Sequence, residues 1–117
     1  MQVKASEANI EKFLPLRPLI FAVLLGLGQS ERHGYAIMQD ANERLSYRAI
    51  VGPGTLYRTL KELREQGLIE PCPSPPGKDA RRQYYRLTDL GRQVAEAEAL
   101  RLSGLVEQAR AERLLEG

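Results

Sequence analysis

The chain has 117 residues, 27% of which are charged, with a formal net charge of +2 and an isoelectric point near 8.8. A chain of this length forms a modest core without room for a second, independent one, and its slight positive charge permits a nucleic-acid partner without requiring it. One cysteine excludes an intramolecular disulfide, and with one histidine it provides too few ligands for a Cys/His zinc site, so we expect a reduced, cytoplasmic protein with no cofactor or metal.

The sequence shows neither a membrane-spanning segment nor an export signal. Its longest apolar run, residues 19–27, is far shorter than the roughly 20 apolar residues that a membrane span needs. Residues 1–12 alternate charged and small side chains and do not have the pattern of a signal peptide. We therefore expect no membrane partner.

A short helix is predicted over residues 6–13. Ser6 is a suitable N-cap, and Ile10, Phe13 and Leu14 would face the core. A segment with two prolines then separates this helix from the next one.

The second predicted helix runs from residue 18 to about residue 27. Pro18 suits its first position, because proline fixes φ near the helical value and the first N–H of a helix has no partner in any case. The helix is apolar nearly all round, which indicates burial on more than one side. In so small a protein, we expect a second subunit to cover one of those sides, at Leu19 and Val23.

The third predicted helix begins around His33 or the following glycine and ends near Leu45. Ile37 and Ala41 have the spacing of core residues. Tyr35, near the start, either contacts a DNA phosphate through its hydroxyl or has a purely structural role, and the sequence leaves both readings open. His33 is interpreted as a surface residue.

The fourth predicted helix, residues 53–66, has clear signals at both ends, because Pro53 suits a first turn and Gly67 can adopt the left-handed conformation that ends a helix. Its core-facing stripe consists of Leu56, Leu60 and Leu63. Thr59 is assigned to another, solvated face. The side chains expected to enter a DNA major groove are Thr55, Tyr57, Arg58 and Lys61. On its own, the segment is more typical of an ordinary amphipathic surface helix.

Two short strands, residues 68–72 and 82–87, are predicted to form a hairpin after this helix. Pro71 and Pro73 are two residues apart, so their missing N–H groups lie on one side of the strand, which must be an unpaired edge. Lys78, Arg81 and Arg82 make the hairpin tip basic, and we expect them to contact the sugar-phosphate backbone. A hairpin that needs only solubility has the same composition.

A long helix is predicted from residue 89 to about residue 115, with Thr88 as its N-cap and Gly91 close to neighbouring backbone. Its apolar seam cannot be buried within one subunit, and pairing with a second copy would cover it. The predicted seam residues are Ala99, Leu102, Val106 and Ala109. Ser103-Gly104 is a candidate position for a bend.

Several short motifs follow one another in a characteristic order. They are His33-Gly34-Tyr35, Gly52-Pro53-Gly54-Thr55-Leu56-Tyr57, Gly67-Leu68-Ile69, Arg81-Arg82-Gln83-Tyr84-Tyr85-Arg86-Leu87-Thr88 and Gly91-Arg92. In this order the chain resembles the PadR family of winged-helix transcriptional regulators over roughly residues 16–110. The resemblance implies a mainly α (α+β) fold, with a winged helix-turn-helix domain and two-stranded β wing at residues 1–88 and a long C-terminal dimerisation helix at residues 89–117.

The resemblance also implies a function. We expect a homodimeric repressor that binds double-stranded DNA at a pseudo-palindromic operator, with room for release by a small aromatic or amphipathic effector. The alternative is a winged-helix protein–protein interaction module, in which the same cations would meet an acidic protein surface. The sequence contains no phosphate-binding loop, catalytic triad order or metal-ligand cluster, so we do not expect an enzyme.

Overall fold

The computed structural model describes residues 7–46 and 51–116. The elements are α1 Glu7–Glu11, α2 Pro18–Leu27, β1 Arg32–His33, α3 Gly34–Arg44, α4 Pro53–Glu65, β2 Ile69–Cys72, β3 Tyr84–Leu87 and α5 Asp89–Ala111. This order confirms the predicted winged-helix fold and the main helices to within a few residues. The predicted cap at Ser6 lies outside the described residues.

The core forms where α2, α3, α4 and the start of α5 meet. The leucine stripe of α4 is buried as predicted, with Leu56, Leu60 and Leu63 at most 1% exposed. Thr59 is also buried, at 4% exposure, so its assignment to a solvated face is wrong. The reason is geometric: Thr59 lies three residues after Leu56 and four before Leu63, and therefore shares their side of the helix.

Helix α2 is buried on more than one side, but the side that remains open differs from the predicted one. Val23 is 1% exposed and lies in the core of its own subunit. The prediction that Val23 contacts a second subunit is therefore wrong, because no surface is left to cover. Leu25 is 39% exposed, while Leu19 and Phe21 are partly buried. No helix among the described residues, α2 included, is long and apolar enough to cross a membrane.

The sheet has three antiparallel strands in the order β1-β3-β2. β2 and β3 form the predicted hairpin, with Cys72 opposite Tyr84, and β2 is an edge strand, as its prolines require. β1 adds a third strand that the sequence did not predict, with His33 opposite Tyr84 on the other side of β3. A strand of two residues has no alternating pattern to reveal it.

The junction between α4, β2 and α5 fixes the start of the long helix. Gly67, with φ of +80°, ends α4 as predicted. The Thr88 hydroxyl donates to the Gly67 carbonyl at 2.6 Å and accepts from the N–H of Gly91 at 2.9 Å, which makes Thr88 the N-cap of α5. Gly91 lies so close to the Leu68 carbonyl that a Cβ there would overlap it.

A buried carboxylate makes a second attachment of α5. Glu98 is 2% exposed and accepts two hydrogen bonds of 2.8 Å from Arg101 and one of 3.3 Å from the N–H of Leu16. The Arg101 hydrogen bonds hold the pKa of the Glu98 carboxyl below its usual range, against the opposing effect of burial. Beyond this point α5 continues as one helix through Ser103 and Gly104 to Ala111.

Gly91→Ala should destabilise the protein by about 2 kcal/mol or more, because the added methyl group meets backbone that cannot rotate away. Gly104→Ala, in the same helix, meets nothing within 4 Å. It should raise stability by up to about 1 kcal/mol through helix propensity alone. Urea unfolding of both variants tests this, and equal effects would show that the junction at Leu68 tolerates a side chain.

Candidate nucleic-acid interface

The exposed face of α4 begins at its first turn. Gly52, Pro53 and Gly54 are all exposed, and no side chain caps the helix, so its first N–H groups are open. The four predicted groove-facing side chains are exposed as well: Thr55, Tyr57, Arg58 and Lys61. Arg58 contacts only the Thr55 hydroxyl, at 3.5 Å, and within the described ranges neither Arg58 nor Lys61 forms an ion pair.

Tyr57 extends from α4 toward the start of α3. Its ring lies against Gly34, where an added Cβ would come within 2.8 Å of the Tyr57 ring and hydroxyl. Gly34 is therefore required for a close approach. Tyr35, the next residue, is 50% exposed beside it, and Tyr57 is 53% exposed. Both tyrosine hydroxyls lie on the surface where α3 and α4 meet; that of Tyr35 accepts a hydrogen bond from Gln39 at 3.3 Å and keeps its proton to donate.

A cleft of about 150 Å³ opens where α3, α4 and β3 come together. Its lining residues are His33, Gly34, Tyr35, Tyr57, Arg82, Gln83 and Tyr85. Three predicted DNA-contacting residues, Tyr35, Tyr57 and Arg82, therefore line one site although they are far apart in sequence. The cleft is open to solvent and has a guanidinium and phenol hydroxyls at its walls, which are groups that bind phosphate well.

His33 has a role that the sequence did not predict. Its Nδ1 accepts a hydrogen bond from the N–H of Ala36 at 3.2 Å, so His33 is the N-cap of α3. Its ring meets Tyr84 edge-on at 5.4 Å, and Arg82 Nη1 lies 3.2 Å from Nδ1 and 3.4 Å from Nε2. Burial and the Arg82 charge lower the pKa of His33 from its ordinary 6.5. Histidine is not among the usual N-cap residues, so composition gave no signal.

The wing tip carries less free positive charge than its sequence indicates. The Arg81 guanidinium donates to both carboxylate oxygens of Asp79, at 3.1 and 3.3 Å, and these contacts lower the pKa of Asp79. Arg82 Nε also lies 3.8 Å from Asp79, while its Nη1 faces His33. Lys78 is exposed and makes no ion pair within the described part of the chain. Of the three predicted tip cations, Lys78 is therefore the one whose charge is not already compensated.

Among the described residues, neither the Cys72 thiol nor any cluster of possible metal ligands forms a reactive site. Cys72 is buried, and its burial raises the pKa of the thiol, which disfavours the reactive thiolate. No group of three or more His, Cys, Asp or Glu side chains there could hold a metal ion. Cys72 is therefore a buried side chain with little nucleophilic character.

The remaining predicted positions belong to the apolar surface of α2 and α5. Ala99 is exposed and Val106 is 37% exposed, whereas Leu19, Leu102 and Ala109 are partly buried. Leu19 packs against its own core. No described contact within the subunit places these α5 residues in the core, so the seam remains open on the side that a second copy would cover.

Helices α2, α3 and α4 pack together, α4 keeps one face exposed, and a β wing follows it. These features define the chain as a winged helix-turn-helix protein. It belongs to the PadR-like family of transcriptional regulators, whose profile matches residues 23–97. Members of that family are regulators rather than enzymes.

Solved structures and relatives agree with this membership. Bacillus subtilis PadR, determined in complex with operator DNA, is 30% identical, with a TM-score of 0.58 over 71% of this chain and 46% of that one. A Streptococcus transcriptional regulator is also 30% identical, with a TM-score of 0.63 over 81% and 91%. An uncharacterised Lysinibacillus sphaericus protein is 30% identical over 64 residues, 55% of this chain and 59% of that protein. The chain thus spans less than two thirds of the Bacillus and Lysinibacillus proteins.

Gly34→Ala should displace the Tyr57 ring with little loss of stability, because the exposed ring can rotate away from the new methyl group. Its aromatic NMR signals should shift, while the free energy of unfolding changes by less than about 1 kcal/mol. Gly54→Ala is the control, since nothing lies within 4 Å of its added Cβ. Unchanged Tyr57 signals in Gly34→Ala would contradict the close approach.

Proposed function

We propose that this protein is a DNA-binding transcriptional regulator that inserts the first half of α4 into the major groove and lays its wing on the sugar-phosphate backbone. The observation that carries the proposal is the exposed, uncapped start of α4 with uncompensated cations, beside a cleft shared with the wing. The operator complex of Bacillus subtilis PadR supports it by family relationship.

We divide the proposed DNA-contacting side chains into two groups, by whether they would contact base edges or the sugar-phosphate backbone. In this proposal Arg58, whose guanidinium lies 3.5 Å from the Thr55 hydroxyl, reads a base edge, and Lys61, about one helical turn further along, contacts bases or phosphate. Tyr35 and Tyr57 present hydroxyls, and Lys78 an ammonium, that suit phosphate oxygens. The first group gives sequence preference; the second gives affinity and register.

Substitutions separate these two roles. Arg58→Ala should cost about 1–3 kcal/mol on a preferred duplex and much less on random DNA. Lys78→Ala should weaken both equally and lower the slope of log affinity against log salt by about one unit for each phosphate that Lys78 neutralises. Preferred duplexes come from selection out of a random pool, and affinities from fluorescence anisotropy over a series of salt concentrations.

Arg86→Ala is the matched control, because it removes an exposed cation that Glu70 already pairs at 2.8 Å. Its salt slope should stay near the wild-type value. A slope left unchanged by Lys78→Ala would remove the wing tip from the interface. Wild-type protein without measurable affinity for duplex would instead favour the protein–protein interaction module.

We further propose that two copies pair through α5. Beyond Glu98, the helix extends past its own core and leaves Leu105 and Val106 exposed, and Leu115, which follows the helix, is exposed as well. An apolar groove of about 330 Å³ between α2 and α5 continues this surface, lined in part by Phe21, Leu25 and Leu102. A two-fold dimer presents two copies of α4, which matches a pseudo-palindromic operator.

Repression and effector release complete the proposal. A dimer that occupies an operator blocks access to it without needing any further surface, so repression is the simplest outcome of binding. The groove between α2 and α5 is the place for a small aromatic or amphipathic effector, since it is apolar, contains Phe21 and has a volume suited to a small molecule. An effector bound there would act on α5, which positions the two subunits.

Val106→Glu should dissociate the dimer, because a charge buried without a partner costs several kcal/mol. Leu100→Glu is the matched control: it places the same charge on the same helix, but Leu100 is 74% exposed and lies on the face opposite the seam. Analytical ultracentrifugation at micromolar concentration should find a dimer for wild type and Leu100→Glu, and a monomer for Val106→Glu. A monomeric wild type would refute pairing through α5.

A further inference from the structure

His33 connects three parts of the molecule. It ends β1 and caps α3, its ring packs edge-on against Tyr84 of β3, and it lies beside Arg82 from the wing. The cleft where Tyr57 of α4 meets α3 also includes His33. A change at this one imidazole therefore reaches the start of α3, the wing and the surface that faces DNA.

Both groups that approach the ring nitrogens of His33 are hydrogen-bond donors. Ala36 donates its N–H to Nδ1 at 3.2 Å, and Arg82 places Nη1 at 3.2 Å from Nδ1 and 3.4 Å from Nε2. The neutral ring gives its one lone pair, at Nδ1, to Ala36 and carries no charge that would repel Arg82, whereas an imidazolium has no lone pair and is positively charged. Protonation of His33 therefore leaves the first turn of α3 without its cap and places two cations in contact.

Burial and the charges around His33 together oppose its protonation. Arg82 is the nearest charge and disfavours the imidazolium. Asp79 on the same loop favours the imidazolium but offsets Arg82 only partly, because Arg81 already occupies that carboxylate. The other ionisable groups near the ring are phenols: Tyr84 and Tyr85 on β3, Tyr57 on α4 and Tyr35 on α3. The pKa of His33 is lowered in the folded protein, so this residue stabilises the fold above its ordinary 6.5, and that stabilisation disappears as the pH falls from 6.5 through the lowered value.

We propose that neutral His33 is a positioning residue for DNA binding: its Nδ1 lone pair caps α3 and its uncharged ring keeps Arg82 at the cleft, whereas its protonation removes the cap, repels Arg82 and weakens binding. This inference rests on the proposed DNA-binding function. It differs from the ordinary behaviour of a histidine near phosphate. A ring whose free nitrogen faced DNA would bind more tightly when protonated, whereas here the ring nitrogens face protein donors.

The test uses the fact that His33 is the only histidine in the sequence. Wild-type affinity for a labelled duplex should fall about tenfold between about pH 7.5 and the pH at which NMR shows His33 to be protonated, the effect of losing one charge-assisted hydrogen bond from Arg82 to DNA. His33→Asn keeps an N-cap side chain but cannot titrate, so its affinity should be weaker at the higher pH and nearly constant across the range. Wild-type affinity that is flat or rises on acidification overturns the proposal.

A double-mutant cycle at about pH 7.5 separates positioning from a general structural role. If His33 acts through Arg82, then His33→Asn combined with Arg82→Ala should bind no more weakly than Arg82→Ala alone. Additive losses of affinity overturn the proposal. Thermal unfolding of each variant at both pH values checks that the protein is folded, and if His33→Asn does not fold, Arg82→Ala must by itself lose most of the pH dependence.

A measurement without DNA keeps this inference separate from the proposed function. In the free protein, the NMR signal of the Arg82 guanidinium should shift along the titration of His33, and should not do so in His33→Asn. If that shift occurs and the wild type binds no duplex, DNA binding fails while the contact between the two side chains stands. If duplex binding is present and the Arg82 signal is insensitive to pH, the positioning role is refuted.

Discussion

The rest of the structure depends on one backbone contact, between the first turn of α5 and the carbonyl of Leu68. Only a residue without a side chain fits at Gly91, and Thr88 joins the same place to Gly67 through its hydroxyl. Because Leu68 follows α4 directly and precedes β2, this contact fixes three elements at once: the exposed helix, the wing and the long helix. The geometry between the exposed face of α4 and the open apolar surface of α5 is therefore set by backbone, which deforms less than side-chain packing does.

Much of this could be predicted from local signals. Pro18 and Pro53 mark helix starts, Gly67 marks an end, and the leucine stripe of α4 and the edge prolines of β2 have direct physical meaning. What could not be predicted depends on tertiary neighbours. Val23 could be covered by either subunit on sequence grounds, and only the packing of α2 against α3 and α5 decides this. The cap at His33 likewise needs a helix start whose flanking strand pairs with β3.

The polar face of α4 is not uniform along the helix. Its first half carries hydroxyls and the cation Arg58 without any carboxylate, whereas its second half mixes Lys61 and Arg64 with Glu62 and Glu65. Arg17 partly compensates Glu62 at 3.4 Å, at the end away from the cleft. A net charge of only +2 is consistent with nucleic-acid binding, because Arg58, Lys61 and Lys78 are exposed and form no ion pair within the described part of the chain.

The length of α5 beyond its attachments gives the molecule a mechanical property. From Glu98 to Ala111 the helix extends about 20 Å at 1.5 Å per residue beyond its two fixed points, at Leu68 and at Glu98. A tilt of about 5° at Glu98 displaces the far end by about 1.7 Å, on the order of a third of a helical turn. The helix is a lever arm, and in a pair of subunits joined along it, a small rotation at either base changes the distance between the two copies of α4.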